Sequence, residues 1–260
     1  ASGTFSFVSG IVFYYCFTVA FIIYGFLRKN TYPKWLLFLG TGATFMAMVT
    51  AGSRAVIAES LQVVACFGFL AYFRPQEFGK IAATVFGLFA ILLVLSSQLN
   101  PWVDLFNEGI GFLDLRFKEA ANVEGTPLEA YYKRYWDIIT APYEWAQFTD
   151  FWGKGLGTAT RAGSMLSGKF GFAEISWARP VIENGLLVGS LFLIWRIWIT
   201  KDLLKTCINC IKNDYYLPIF LFGAAGPVIL FCPLGQPTNL GFAAFGSGLC
   251  LAAALAKKPA

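Results

Sequence analysis

Five places in this chain carry side chains able to hold an anion or to move a proton. At Gly52-Ser53-Arg54 a guanidinium stands at the end of an apolar run. Its planar fork can grip a phosphate or pyrophosphate bidentately, or anchor the chain at a bilayer edge. Lys133 and Arg134 fall in an amphipathic stretch and read either as anion ligands or as a solvated helix face. The run Gly153-Lys154-Gly155-Leu156-Gly157-Thr158-Ala159-Thr160-Arg161 has glycines that could turn backbone amides toward an anion, beside the cations Lys154 and Arg161. It lacks the spacing of a P-loop, so a flexible turn is the competing reading. Next, Glu174, Arg179 and Glu183 crowd the entrance to another apolar run, where charged groups are costly unless paired with one another or functional. Glu59, inside a further apolar run, raises the same question. Five residues from Arg54 is about 500° of helix, which puts the two side chains on different faces.

Other chemistries are excluded. The chain has no histidine, so by itself it offers no imidazole to a zinc site, a Ser-His-Asp triad or a haem. Cys207 and Cys210 form a C-x-x-C without a second pair, too few ligands for tetrahedral zinc. Cys16, Cys66, Cys232 and Cys250 lie within apolar runs, where cysteine behaves as a small hydrophobe. Neither a metal nor a cofactor is expected.

The elements that must position these groups are membrane helices. Of the 260 residues 57% are hydrophobic and only 13% charged, about half the charged share of a soluble domain. Mean hydropathy is +0.61. Apolar runs at 5–27, 35–51, 55–73, 81–99, 181–199, 216–233 and 240–256 each approach the ~20 residues needed to cross hydrocarbon. They predict an all-α, polytopic bundle of seven spans, divided into spans one to four (1–99), an external loop (100–180) and spans five to seven (181–260). Placing the loop of Arg28, Lys29 and Lys34 in the cytoplasm also puts Arg74, Lys80, Arg196, Lys201, Lys205, Lys212, Lys257 and Lys258 there, as the positive-inside rule requires. The amino terminus and the long loop then face outside. An outside start at Ala1 with no targeting segment suggests that further spans precede this chain or that it was processed, the first being the expectation.

The segment 100–180 is too long for a plain connection. It carries Trp102, Trp136, Trp145, Trp152 and Trp177, a composition suited to a membrane interface and to capping a cavity. Within it Thr126, Pro127 and Glu129 occupy the N-cap, N1 and N3 positions of a helix start. Leu128, Tyr131, Tyr132, Tyr135, Trp136 and Ile139 follow at helical spacing. The pattern predicts an amphipathic helix with Lys133, Arg134 and Asp137 on its other positions.

The succession Gly3-Thr4-Phe5-Ser6, Gly52-Ser53-Arg54, Arg134 with Trp136, Gly153-x-Gly155-x-Gly157 and Glu183-x-Gly185-Leu186-Leu187-x-Gly189 resembles the O-antigen polymerase and ligase superfamily. The resemblance covers most of the chain, as the carboxy-terminal part of a longer member. It implies an inverting membrane glycosyltransferase of the GT-C type. Such a protein takes a glycan from an undecaprenyl-diphosphate carrier and transfers it to an acceptor sugar outside the bacterial plasma membrane. Arg54 and Arg134 would then bind the diphosphate, with Lys154, Arg161, Arg179 and Glu183 as candidate substrate ligands around them. The charge of that leaving group grows as the glycosidic bond breaks, and fixed guanidiniums stabilise it without a metal.

Ligases of the family carry a histidine nine residues before the glutamate of the E-x-G-L-L-x-G run; here that position is Glu174. A partly desolvated carboxylate can serve as the base for an attacking hydroxyl. Arg179 could instead hold Glu174 ionised. The expected partners are the lipid-linked glycan, the acceptor sugar and membrane lipid, with no nucleic acid. A catalytically silent relative, acting as a scaffold or accessory subunit of a larger membrane complex, is the alternative.

Overall fold

The computed structural model describes residues 8–28, 31–51, 53–73, 75, 79, 100–147, 149–160, 162–163, 165 and 176–256. Regular structure among them is all helical: α1 (Val8–Leu27), α2 (Lys34–Ala51), α3 (Arg54–Ala65), α4 (Phe67–Phe73), α5 (Asn100–Glu124), α6 (Pro127–Ala146), α7 (Ala178–Lys212), α8 (Leu217–Phe231) and α9 (Pro237–Leu255). Five stretches are long and apolar enough to cross a membrane: Ser9–Leu27, Lys34–Ala51, Arg54–Phe73, Ala178–Lys212 and Pro237–Leu255. Leu217–Phe231 is apolar but shorter. The expected run 81–99 lies outside the described residues.

The hub is α8, which has no polar stripe and must therefore be enclosed. Its Ile219, Phe220, Leu221, Ala225 and Val228 are buried in a core shared with α1, α3, α7 and α9. Gly223 lets it approach α3 closely, since a Cβ there would lie 2.7 Å from Cys66 Sγ and 3.0 Å from Val63 Cα. Such small-residue contacts are how membrane helices pack. Phe13 and Phe17 of α1 meet Phe242 of α9 with ring centroids 5.4 and 6.2 Å apart. Outward positions are apolar too: Trp35, Leu39, Leu61, Leu191, Ile194, Trp198 and Phe245 are exposed. That is the reverse of a water-facing surface and compatible with lipid contact.

One end of the bundle is marked by Tyr24 against Tyr215, 6.0 Å apart, and by Lys212 over Phe73 at 5.8 Å. There α1 and α4 finish and α7 turns into α8. At the other end α2 passes into α3 and α8 into α9, with α5 and α6 packed across. Gly109 of α5 sits against Val49 of α2, and α6 packs on α7.

Two expectations need correction here, and both concern α7. The run 181–199 reads as one span, but the helix breaks at Gly185, where φ is 80° and ψ 176°, a conformation open essentially to glycine alone. The chain doubles back at that point. A Cβ at Gly189 would lie 2.6 Å from Val181 Cα, whereas residues eight apart in a straight helix are separated by about 12 Å. Trp177, Val181 and Leu193 accordingly share one apolar cluster. Residues 178–184 are one arm of a hairpin, and the spanning helix starts after Gly185. The first arm carries Arg179, Glu183 and Asn184 among its apolar residues and the second is apolar, so hydropathy averaged over the run does not show the reversal.

Arg196, grouped with the cytoplasmic lysines, is the second correction. It is 1% exposed and lies level with the last turn of α8, at the opposite end of the bundle from Lys212.

Candidate functional site

The helix α6 starts as its sequence requires. Thr126 Oγ1 accepts a hydrogen bond from the Glu129 amide at 3.3 Å, and Glu129 Oε2 accepts from the Thr126 amide at 2.9 Å and hydroxyl at 2.8 Å. This reciprocal box satisfies two donors of the helix start, and the same bonds hold the Glu129 carboxyl below its ordinary 4.5.

Beyond that turn the expected apolar stripe divides in two. Tyr135, Ile138, Ala141 and Trp145 face the protein, while Tyr132, Trp136, Ile139 and Tyr143 are exposed. Tyr132 and Trp136 stack with centroids 6.1 Å apart. Lys133 and Asp137 fill a third, charged and exposed sector, and Arg134, also exposed, stands on the inward side at the start of the helix.

The inward face docks α6 onto α3. Gln62 Nε2 donates to Tyr135 Oη at 2.7 Å, and the Tyr135 ring stands edge-on to Phe231 at 4.7 Å. One residue earlier, Arg134 comes within electrostatic reach of Glu59, a turn before Gln62 on the same helix. The loop arginine is thereby brought to the helix that Arg54 opens. Sequence reasoning singled out Glu59 but had no means of pairing it with Arg134.

The glycine run is a turn that closes on the protein itself. Lys154 N donates to Ile182 O at 2.9 Å and Gly155 N to Glu183 O at 3.1 Å. Those carbonyls have no intrahelical partner because the first arm of α7 stops at Gly185. Gly153, with φ of 76°, abuts Gly185 so closely that a side chain on either would strike the other's backbone. Thr158 N and Thr160 N donate to Gly155 O at 3.3 Å and Gly157 O at 3.0 Å. With Gly153 N donating to Asp150 O at 3.0 Å, five amides of the run are committed internally, and the two glycine motifs are halves of one junction.

Arg179 Nε pairs with Glu183 Oε1 at 2.9 Å, with the Glu183 side chain 8% exposed. The Arg179 guanidinium also lies against Gly235 in the α8–α9 turn. The ion-pair reading of these two residues is thus what the structure displays. Arg161 and Glu174 lie outside the described residues.

A group that the sequence reading misplaced completes this end. Arg196 donates from Nε to Ile229 O at 2.8 Å, from Nη2 to Cys232 O at 2.7 Å and from Nη1 to Ser176 Oγ at 3.2 Å. Trp177 Nε1 donates to Leu230 O at 2.6 Å, and its ring stacks on Phe231 at 6.1 Å. The last carbonyls of α8, which a helix end leaves open, are taken by these two side chains. The available signal was an arginine flanked on both sides by apolar residues, which demands partners. Among the described residues no group of three Cys, Asp or Glu gathers in a way that would hold a metal ion.

Compared with known proteins, the chain matches no family model, no curated protein and no solved structure.

Proposed function

We propose that the protein is a membrane glycosyltransferase of the O-antigen polymerase and ligase kind. On this reading it sits in a bacterial plasma membrane with seven spans and its 100–180 segment outside. It moves a glycan from undecaprenyl diphosphate to an acceptor sugar. The observation that carries the reading is the docking of α6 on α3 through Gln62 and Tyr135 at 2.7 Å, with Arg134 beside Glu59. Two arginines 80 residues apart then serve one end of the bundle. A lipid-borne diphosphate suits such a rim, because its anion stays at headgroup level while its isoprenoid lies along apolar helix faces.

The chemistry follows from that placement. The acceptor oxygen bonds to the anomeric carbon as the bond from that carbon to the diphosphate oxygen breaks, and the configuration inverts. Arg54 and Arg134 hold the charge that grows on the diphosphate, and Glu174 takes the hydroxyl proton. Lys154 and Arg161 serve as ligands of the glycan, while Arg179 and Glu183 keep the α7 hairpin in register.

Carrier binding and turnover test this. Arg54→Lys or Arg134→Lys should weaken binding of an undecaprenyl-diphosphate glycan roughly tenfold, because a point charge cannot reproduce the fork. Glu174→Gln should slow transfer roughly a hundredfold with binding retained. Undiminished carrier binding in both lysine variants would refute the shared anion site. Binding without transfer, together with co-purification in a stable multi-subunit complex, would identify a scaffold.

A further inference from the structure

At the end of the bundle away from α5 and α6, a groove runs between α4 and α7. It holds about 450 Å³ and is lined by Ala65, Gly68, Phe69, Tyr72, Phe73 and Ile208, a size within the ~300–1,000 Å³ of ligand clefts. Ala65, Gly68 and Tyr72 follow one another at i, i+3 and i+7 and are all exposed, so one outward face of α3 and α4 supplies the floor. The two small residues form the recess, and Phe69 and Phe73 stand beside it. The floor is open, since a Cβ at Gly68 would meet nothing within 4 Å. From Ala65 to Phe73 it extends about 12 Å, most of the depth of one leaflet of a ~30 Å hydrocarbon layer. The side chains of the lining offer a single polar group, the Tyr72 hydroxyl.

The rim is cationic. Ile208 presents α7 to the groove, and at 100° per residue Lys201, Lys205 and Lys212 fall with it inside a sector of about 60°. All three lysines are exposed. Along the axis Lys205 stands about 4.5 Å before Ile208 and Lys212 about 6 Å after it, so both ammonium groups come within reach of the groove on their flexible stems. Lys212 Nζ lies 5.8 Å from the centroid of the Phe73 ring. Asp202 falls about 60° outside that sector, and Asp214, past the end of α7, accepts from Tyr216 Oη at 3.3 Å.

We propose that this groove binds an anionic phospholipid of the adjoining leaflet, with an acyl chain along Ala65, Gly68 and Phe69 and the phosphate held by Lys205 and Lys212. An apolar channel flanked by fixed cations matches a molecule that carries both parts. A soluble phosphate compound gains nothing from the apolar floor, and a zwitterionic phospholipid brings its own ammonium against the lysines. Tyr72, 81% exposed, suits the level where aromatic side chains meet headgroups. On the proposed topology this is the cytoplasmic leaflet, whose anionic lipids attract basic residues near the surface. The inference needs a membrane and neither carrier binding nor glycan transfer.

Native mass spectrometry of the full chain released from nanodiscs tests it, with equimolar dioleoyl phosphatidylglycerol and dioleoyl phosphatidylcholine in the disc. Each lysine beside an anionic headgroup contributes roughly a fivefold preference. Phosphatidylglycerol should be retained over phosphatidylcholine, with the preference reduced roughly fivefold in Lys205→Gln or Lys212→Gln and lost in the double variant. Gly68→Phe fills the recess and should displace phosphatidylglycerol although both lysines remain. Both lysines are exposed, so melting temperatures of their variants without added lipid should match the parent, which separates lost binding from lost folding. Equal retention of the two lipids, or unchanged retention of phosphatidylglycerol in the double lysine variant or in Gly68→Phe, overturns the site. Displacement of the lipid by an equal concentration of glycerol phosphate also overturns it, by locating the affinity in the phosphate alone. A lipid-free dimer would assign the groove to a second copy of the chain and overturn it too.

Discussion

Arg196 reaches two carbonyls and a hydroxyl from one planar group, a geometry that a lysine ammonium on a flexible stem cannot copy. Arg196→Met would leave Ile229 O, Cys232 O and Ser176 Oγ short of donors. A loss of about 3 kcal/mol follows, to be read as a lower melting temperature in detergent, with Arg196→Lys falling in between. A methionine variant as stable as the parent would show that water replaces the guanidinium. The partners of this residue were not legible in the sequence. It stands a few positions from Lys201 and Lys205, so a count of charge by loop assigns it to their side, and only the packing of α8 against α7 reveals its depth. Glu59 was legible as an oddity, because a carboxylate within an apolar run is conspicuous whatever surrounds it.

Caps are local, so the start of α6 could be read from Thr126 and Glu129 before any tertiary contact was known. Their bonds lower the Glu129 carboxyl in the folded state. A lowered carboxyl contributes stability above its unfolded value, and that contribution is lost as pH falls through the folded one. The first turn of α6 should therefore fray as pH drops below the ordinary 4.5 and be fully formed at neutral pH. Amide hydrogen exchange across 127–131 would report it. Thr126→Ala should weaken the helix by about 1 kcal/mol and abolish the pH response; a response that survives belongs to another carboxylate. The face of α6 was harder to read. Apolar spacing cannot distinguish a stripe that meets protein, such as Tyr135 and Ile138, from one that stays open, such as Tyr132 and Trp136, because both satisfy the same period. Hydropathy averaged over 181–199 likewise conceals the Gly185 reversal, whose local marks are Glu183, Asn184 and the glycine itself.

For the molecule as a whole, the two ends of the bundle differ in what they carry. Lys212 and the α7–α8 turn occupy one end, and α5 and α6 the other. Moving Arg196 away from the lysines leaves Lys201, Lys205 and Lys212 as the basic residues of the α7–α8 end, which with those of the other short loops still set the orientation. In a cysteine-free background, Lys212→Cys should resist a membrane-impermeant thiol reagent applied outside, and Lys133→Cys should react. The opposite labelling would invert the proposed topology. The hairpin at Gly185 also shapes the field at the α5–α6 end. The first arm of α7 finishes there with the negative terminus of a helix, and the second begins there with a positive one, so opposite macrodipole ends meet and cancel. A spanning helix that simply began at the surface would offer about half a positive charge to whatever lies above it; this one offers almost none. The α2–α3 turn sets a helix end beside a helix start in the same way, so the pull on an anion at the first turn of α3 comes from the Arg54 guanidinium.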